Sequence, residues 1–205
     1  MRMIIIDGKD GGGQVFRTAL GLSAITGKAC TIENIRVSRP NPGLREQHLQ
    51  GLIAMQKLSN AAISGAKIGS TKVTFEPNKI VSGDIEIEIG TAGSIGLILQ
   101  VLLIPAVKND LDISVRGGAT YNKWAPPVDH FKNVLFPLLS RMDYKPTANI
   151  LKDGFFPKGG AKVDIHSPKT ELKPLHIQEK GKGVKIKVYS MASKSLEGKE
   201  VAERQ

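Results

Sequence analysis

A cluster of glycines followed by two polar side chains stands near the start of the chain. Residues 7–17 read DGKDGGGQVFR, with Gln14 and Arg17 three positions apart. Glycines placed directly before a helix leave backbone N–H groups free to face an anion, and the helix dipole favours negative charge there. Gln14 and Arg17 share one helix face, so both side chains can reach the same ligand. The stretch therefore predicts either a phosphate site or a tight strand-to-helix turn with a solvated arginine.

More arginines follow at the end of the next alternating stretch. That stretch, 30–36, is expected to be a strand that ends with Arg36; Arg39 follows it, and Gln47 lies in the first turns of the helix beyond. The planar guanidinium fork suits bidentate recognition of phosphate. These arginines, with the one in the glycine stretch, either hold a terminal phosphate or are solvated surface residues. We interpret Arg45 as a surface residue and His48 as a histidine that packs within a helix.

A second group of candidate residues lies in the middle of the chain. Gln100 is the one polar side chain in the apolar helix expected over 95–107, so we expect a buried amide that bonds to the backbone or to a ligand. Pro126 and Pro127 stiffen the approach to another helix. Trp124, just before them, either belongs to the core or stacks on a base.

Composition limits the class of protein. The 205 residues contain 29 Lys and Arg against 19 Asp and Glu, a net charge of +10. That excess favours a polyanionic partner, although a lysine-rich thermostable surface gives the same balance. The single Cys30 excludes an intrachain disulfide. The most apolar stretch is interrupted by Gln100 and Pro105 and is shorter than the ~20 residues of a membrane span. We therefore expect a cytoplasmic protein with no membrane partner.

The elements that carry these residues recur twice in the same order. Residues 3–7 and 84–90 are typical strands, each followed by a turn of small residues and an apolar helix. The pattern predicts two tandem strand–helix–strand–helix–strand–strand units, each a four-stranded mixed sheet with two helices on one face. The fold class is α/β (α+β), with units over 1–83 and 84–180.

The tail differs from both units. Residues 184–189 alternate like a strand, and 195–205 read as the first turns of a charged helix with no C-terminal cap. We interpret 181–205 as the incomplete beginning of a small inserted α/β domain.

Five motifs in this order resemble those of the RNA 3′-terminal phosphate cyclase family. They are DGKDGGGQVFR at 7–17, IRVSRPNPGLREQH at 35–48, IGTAGS at 89–94, APP at 125–127 and GFFPKGG at 154–160. The resemblance implies three repeats with the inserted domain before the third, so the third repeat is expected to be missing here.

The resemblance also implies a reaction and a set of site residues. A histidine attacks ATP, the adenylate passes to an RNA 3′-phosphate, and the 2′-hydroxyl closes a 2′,3′-cyclic phosphate with release of AMP. A divalent metal, Mg²⁺ or Mn²⁺, assists, and a homodimer is left open. The residues implied are Gln14, Arg17, Arg36, Arg39 and Gln47 for the RNA end, and Asp10, Gln100 and Pro127 for the nucleotide. Asp10 departs from the family's usual glutamate.

None of the four histidines of the chain matches the family's nucleophile motif, so the sequence assigns no catalytic residue. One alternative is a non-catalytic, cyclase-like RNA-binding protein of ribosome assembly. A second is an enolpyruvyl transferase, which shares a similar repeat, but its Lys- and Arg-lined sites are not located in this sequence.

Overall fold

The first half of the chain folds into a mixed sheet of four short strands. The computed structural model describes residues 3–179, 181, 183 and 185–205. The strands are β1 (Ile4–Asp7), β2 (Cys30–Glu33), β3 (Ala62–Ser64) and β4 (Val73–Glu76), and the helices are α1 (Gly12–Thr26) and α2 (Glu46–Ser59). The strand order is β1-β2-β4-β3, with β1 and β2 parallel and the other two pairs antiparallel.

The second half repeats this architecture. Its strands are β5 (Gly83–Ser94), β6 (Leu111–Ala119), β7 (Thr147–Lys152) and β8 (Lys162–Ser167). Its helices are α3 (Ile95–Ala106), α4 (Val128–His130), a π-helical turn (Phe131–Leu135) and α5 (Phe136–Ser140). The order β5-β6-β8-β7 copies that of the first sheet, and again only the first pair is parallel. The predicted fold class, two tandem four-stranded mixed sheets with helices, is confirmed.

Helix α3 joins the two repeats because it packs against both α1 and α2. Glycines allow the close approach. A Cβ at Gly21 on α1 would lie 2.7 Å from Cδ1 of Ile104, whereas a Cβ at Gly51 on α2 would lie 3.6 Å from Cγ2 of Val101. The side chains of both repeats therefore form one continuous hydrophobic cluster rather than two separate cores.

Several predicted boundaries differ from those of the structure. Strand β2 ends at Glu33, so Arg36 lies in the following turn, and β5 continues through the stretch 91–94 that was expected to be a turn. The helix expected from Val128 onward is interrupted by a π-turn. The proline at 137 has no N–H to donate, and the N–H of Phe136 reaches the carbonyl of Phe131 instead.

The last residues form a separate unit, Pro174–Gln205. A 3₁₀ helix covers Lys194–Lys199, in place of the α-helix expected from 195 onward. The strand expected over 184–189 is not present at 185–189, and residue 184 lies outside the described residues. No helix in the described part of the chain is long and apolar enough to cross a membrane. The domain boundaries at 83 and 180 stay predictions.

The close helix contacts predict opposite effects for two glycine substitutions. We expect Gly21→Ala to destabilise the fold by about 1–3 kcal/mol, because the new methyl group overlaps Ile104. We expect Gly51→Ala to be neutral or to stabilise by up to about 1 kcal/mol, because its methyl group fits and alanine favours the helix. Urea denaturation of both variants measures the free energy of unfolding. Equal losses in the two variants would contradict the packing described for α3.

Candidate functional site

The glycine cluster forms the uncapped N-terminus of α1. The N-cap is Gly11, which offers no side chain, and the first turn contains no acidic residue. Gly12 has φ of +56°, a left-handed conformation that any other residue would adopt only under strain. The first N–H groups of α1 therefore have no side-chain acceptor from the cap, which is the arrangement that an anion completes.

The loop between β2 and α2 lies beside this turn. The hydroxyl of Ser38 donates to the carbonyl of Lys9 at 3.1 Å, which joins the two segments. Arg36 has a left-handed backbone, with φ of +55°, and its Nη1 donates to the carbonyls of Asn41 and Gly43, both at 2.9 Å. Nη1 of Arg36 thus holds the loop closed, and its two hydrogen bonds fix the position of the whole guanidinium group.

Two further arginines line the start of α1. Nη2 of Arg39 lies 3.3 Å from the position that a Cβ at Gly12 would take, and Nη1 of Arg17 lies 3.1 Å from the corresponding position at Gly13. The Nε atom of Arg17 is buried and has no hydrogen-bond partner in the described residues. A buried donor without an acceptor is rare in folded proteins, so this atom stands out among the polar groups of the site.

His48 joins the two helix N-termini. Its ring is only 2% exposed, and its Nδ1 accepts a hydrogen bond from the backbone N–H of Arg45 at 3.0 Å. The ring packs edge-on against Phe16, with the centroids 6.1 Å apart. A Cβ at Gly13 would overlap Nε2 of the ring. The absence of a side chain at residue 13 is therefore what allows His48 to lie against α1.

The electrostatics of the cluster are uniformly positive. Burial, followed by repulsion from Arg36, Arg17 and Arg45, lowers the pKa of His48 to about 4. Burial also lowers the pKa of Arg17, and burial with repulsion from Arg45 and Arg39 lowers that of Arg36. No ion pair connects any of these four arginines to a carboxylate in the described part of the chain. An anionic ligand would supply the missing negative charge.

The structure therefore brings together three of the five residues predicted for the RNA end: Arg17, Arg36 and Arg39. The other two lie on the same helices: Gln14 is exposed on α1, and Gln47 is half-buried in the first turn of α2. Their roles stay predictions. Arg45 is exposed at the N-cap of α2, as predicted for a surface residue, and its charge acts on both His48 and Arg36. The sequence interpretation missed the bond of His48 to the cap. Its signal was the spacing of Arg45 and His48, three apart at a helix start, where a side chain at the third position reaches back to the cap.

The residues predicted for the nucleotide lie in three segments. Asp10 is exposed in the turn before α1, and Pro127 is the N-cap of α4. Gln100 is exposed on α3, so the expectation of a buried amide is wrong. Gln100 lines an apolar groove together with Ile25 and Leu135. The groove lies on a side of α3 that is open to solvent, so the amide is in contact with water. Their nucleotide contacts stay predictions.

The donor set for a metal is sparse. Within the described residues, no group of three or more His, Cys, Asp or Glu side chains is arranged to hold a metal ion. We therefore derive no step of a reaction through a metal bound to this chain.

The neutral state of His48 predicts a pH-dependent stability. The unfolded chain binds a proton near pH 6.5, whereas the folded site excludes it down to about pH 4. The contribution of neutral His48 to the free energy of unfolding is therefore fully present above pH 6.5. It falls by about 3 kcal/mol as the pH drops to 4. In His48→Gln the amide oxygen still accepts from the N–H of Arg45 but does not titrate. We expect the difference in unfolding free energy between wild type and H48Q to shrink from pH 7 to pH 4. A constant difference would contradict the buried neutral ring.

The contact between Gly13 and His48 predicts non-additive effects. Gly13→Ala alone overlaps the ring and is expected to destabilise by about 1–3 kcal/mol. In the double variant with His48→Ala the methyl group has room. The double variant is therefore expected to lose less unfolding free energy than the two single variants together, by about 1 kcal/mol or more. Leu22→Ala, at an exposed position of α1, serves as the control that adds to Gly13→Ala without coupling. Additive losses in both double variants would rule out the contact.

Several known proteins are similar to this chain over the residues described above. The family model described as RNA 3′-terminal phosphate cyclase matches residues 9–198. The cyclase of Archaeoglobus fulgidus is 47% identical over 83% of this chain and 53% of its own length. The cyclase of Pyrococcus furiosus is 46% identical over 86% and 53%, and that of Pseudomonas fluorescens is 40% identical over 99% and 59%.

The chain thus spans about half the length of the curated relatives it matches. Among solved structures, the EPSP synthase of Acinetobacter baumannii covers 87% of this chain and 34% of its own, at 15% identity and a TM-score of 0.27, which supports no argument. The match across residues 9–198, which contain the glycine turn and all four clustered arginines, and the similarity to curated cyclases show that this chain belongs to the RNA 3′-terminal phosphate cyclase family.

Proposed function

We propose that the protein takes part in the ATP-dependent conversion of an RNA 3′-terminal phosphate into a 2′,3′-cyclic phosphate, and that this chain binds the terminal phosphate. One observation carries the proposal: Arg17 and Arg39 line the uncapped N-terminus of α1, the charges of Arg36 and Arg45 act on the adjoining His48, and none of the four has an ion-paired carboxylate in the described part of the chain. Membership of the cyclase family supports RNA as the source of that phosphate.

The geometry suits a phosphate monoester better than a phosphodiester. A terminal phosphate has three oxygens free of the chain and carries nearly two negative charges at neutral pH. Arg39 and Arg17 each lie beside one of the consecutive glycines 12 and 13 that begin α1, so the two guanidinium groups and the helix N–H groups could each bind a separate oxygen. A 3′-hydroxyl end offers neither the charge nor the acceptors, so the cluster favours phosphorylated ends.

In the proposed reaction, ATP transfers AMP to a protein histidine with release of pyrophosphate. The 3′-phosphate then displaces the histidine and takes the AMP. The ribose 2′-hydroxyl attacks the phosphorus of the RNA 3′-phosphate, loses its proton and releases AMP as the ring closes. This chain holds the phosphate with its bridging oxygen and neighbouring 2′-hydroxyl aligned, and its arginines stabilise the added negative charge of the transition state.

The histidine nucleophile is assigned to none of the residues of this chain. His48 is unsuited to it, because Nδ1 is already an acceptor and Nε2 packs against Gly13. Mg²⁺ or Mn²⁺ enters the proposal only as the counter-ion of the ATP phosphates, which usually provide most of the ligands for such ions.

The test compares single-stranded RNA oligonucleotides that end in a 3′-phosphate or a 3′-hydroxyl. We expect Arg39→Ala to weaken binding of the phosphorylated oligonucleotide by about 10- to 100-fold, since a hydrogen bond to a charged group contributes about 1.5–3 kcal/mol. Binding of the hydroxyl-ended oligonucleotide should change by less than about twofold. Lys28→Ala, which removes an exposed positive charge after α1, is the matched control and should leave the preference for phosphate intact.

Two results would overturn parts of the proposal separately. Equal affinity of the wild-type protein for both ends would exclude a terminal-phosphate site. Strong preference for the phosphorylated end, with no cyclic phosphate formed from ATP and Mg²⁺ by a protein that joins this chain to the segment containing the nucleophilic histidine, would instead support a non-catalytic RNA-binding member of the family.

A further inference from the structure

A large aromatic side chain stands almost fully in solvent on the loop before α4. Trp124 is 90% exposed, so the alternative in which it belongs to the core is wrong. Its backbone is left-handed, with φ of +63°, and Nζ of Lys123 lies 5.4 Å from the ring centroid. Tryptophan is usually buried over most of its surface, and an exposed one leaves a large apolar area in contact with water. Packing within the described part of the chain does not explain this exposed side chain.

The loop that carries Trp124 is fixed at both sides. Nδ2 of Asn122 donates to the carbonyl of Ala92 at 2.7 Å, which attaches the loop to the end of β5. The N–H of Val128 donates to the carbonyl of Thr120 at 3.1 Å and closes the loop. The tryptophan is therefore held on a defined backbone, so that a partner would not have to order it on binding.

A second exposed aromatic lies on the turn that touches this loop. The rings of Tyr121 and Phe155 are stacked, with centroids 5.4 Å apart, and the hydroxyl of Thr120 donates to the carboxylate of Asp153 at 2.8 Å. The next residue, Phe156, is 73% exposed. Lys158 is exposed on the same turn, and Lys152 is exposed at the end of β7. We call Lys123, Trp124, Phe156 and Lys158 the aromatic–lysine patch.

The position of this loop in the repeat also points to a ligand. It connects β6 to α4, as the loop with Arg36 and Arg39 connects β2 to α2. Each loop follows the second strand of a parallel pair, and such strand ends are where ligands bind in many α/β sheets. The first repeat places guanidinium groups there, and the second places an indole and an ammonium group.

We propose that the aromatic–lysine patch binds single-stranded RNA by stacking Trp124 on an unpaired base, with its lysines near the RNA phosphates. The inference rests on the proposed function, because it takes RNA as the substrate. Aromatic rings stack on any base, while ammonium groups attract the backbone, so the contact is independent of sequence. It adds affinity for the strand upstream of the 3′-phosphate, which the arginine cluster alone does not contact.

The chain contains a single tryptophan, so its fluorescence reports on the patch. The probe is a six-nucleotide oligoadenylate with a 3′-hydroxyl end, which contains no terminal phosphate. We expect saturable quenching of the fluorescence, and the difference between wild type and Trp124→Phe assigns it to residue 124. Trp124→Ala should weaken binding, measured by anisotropy of a labelled oligonucleotide, by about 5- to 100-fold, since stacking contributes about 1–3 kcal/mol per base. Leu22→Ala, which removes an exposed apolar side chain from α1, should not weaken it.

Three outcomes would overturn the inference. They are unchanged affinity in Trp124→Ala, equal quenching by an abasic oligonucleotide, and equal quenching by ATP alone, which would place the adenine of the nucleotide at this residue. The arginine cluster is tested apart from the patch, because Arg39→Ala should abolish the preference for a 3′-phosphate and leave the quenching by the hydroxyl-ended strand. If the wild-type protein prefers the 3′-phosphate but its fluorescence is not quenched by the hydroxyl-ended strand, the patch alone is refuted.

Discussion

The hydrogen bond from the Arg45 N–H to Nδ1 of His48 fixes the geometry on which the arginine cluster depends. It requires a ring nitrogen without a proton, so it selects neutral histidine and one tautomer. In that orientation Nε2 lies against Gly13, and the N-termini of α1 and α2 are held together. Arg17 belongs to one helix and Arg45 precedes the other, so the same contact sets the separation of their charges. A glycine turn alone would give an anion site, but not one lined from two sides.

The two repeats share strand order and use it differently. In both, the first two strands are parallel and the loop after the second strand leads to a helix. In the first repeat that loop carries guanidinium groups and is closed by one of them, Arg36. In the second it is closed by backbone and amide hydrogen bonds and carries Trp124. A single architecture thus offers a charged site and an aromatic one, since the loops can differ while the sheets and the shared helix core are kept.

Much of the fold could be predicted because its signals are local. Alternation predicted β5, the turn of small residues followed by an apolar helix predicted α1, and the order of elements predicted two sheets. Strand β7 was not singled out, because TANILK over 147–152 alternates only in its first four residues; its place in the sheet comes from antiparallel pairing with β8. The grouping of Arg17, Arg36 and Arg39 was predictable from residue types near strand ends. The contact of His48 with Gly13 was not, since it joins residues 35 positions apart through packing that no sequence spacing encodes.

The neutral histidine gives the arginine cluster a charge that does not change across the physiological range. Guanidinium groups stay protonated at any pH at which the protein is folded, and His48 gains no proton until about pH 4. The titrating group in an encounter with a phosphate monoester is then the ligand, whose second ionisation lies near pH 6. The charge of the cluster would therefore favour the dianion over the monoanion of the proposed ligand, while the acid limit of the fold itself is set by protonation of His48.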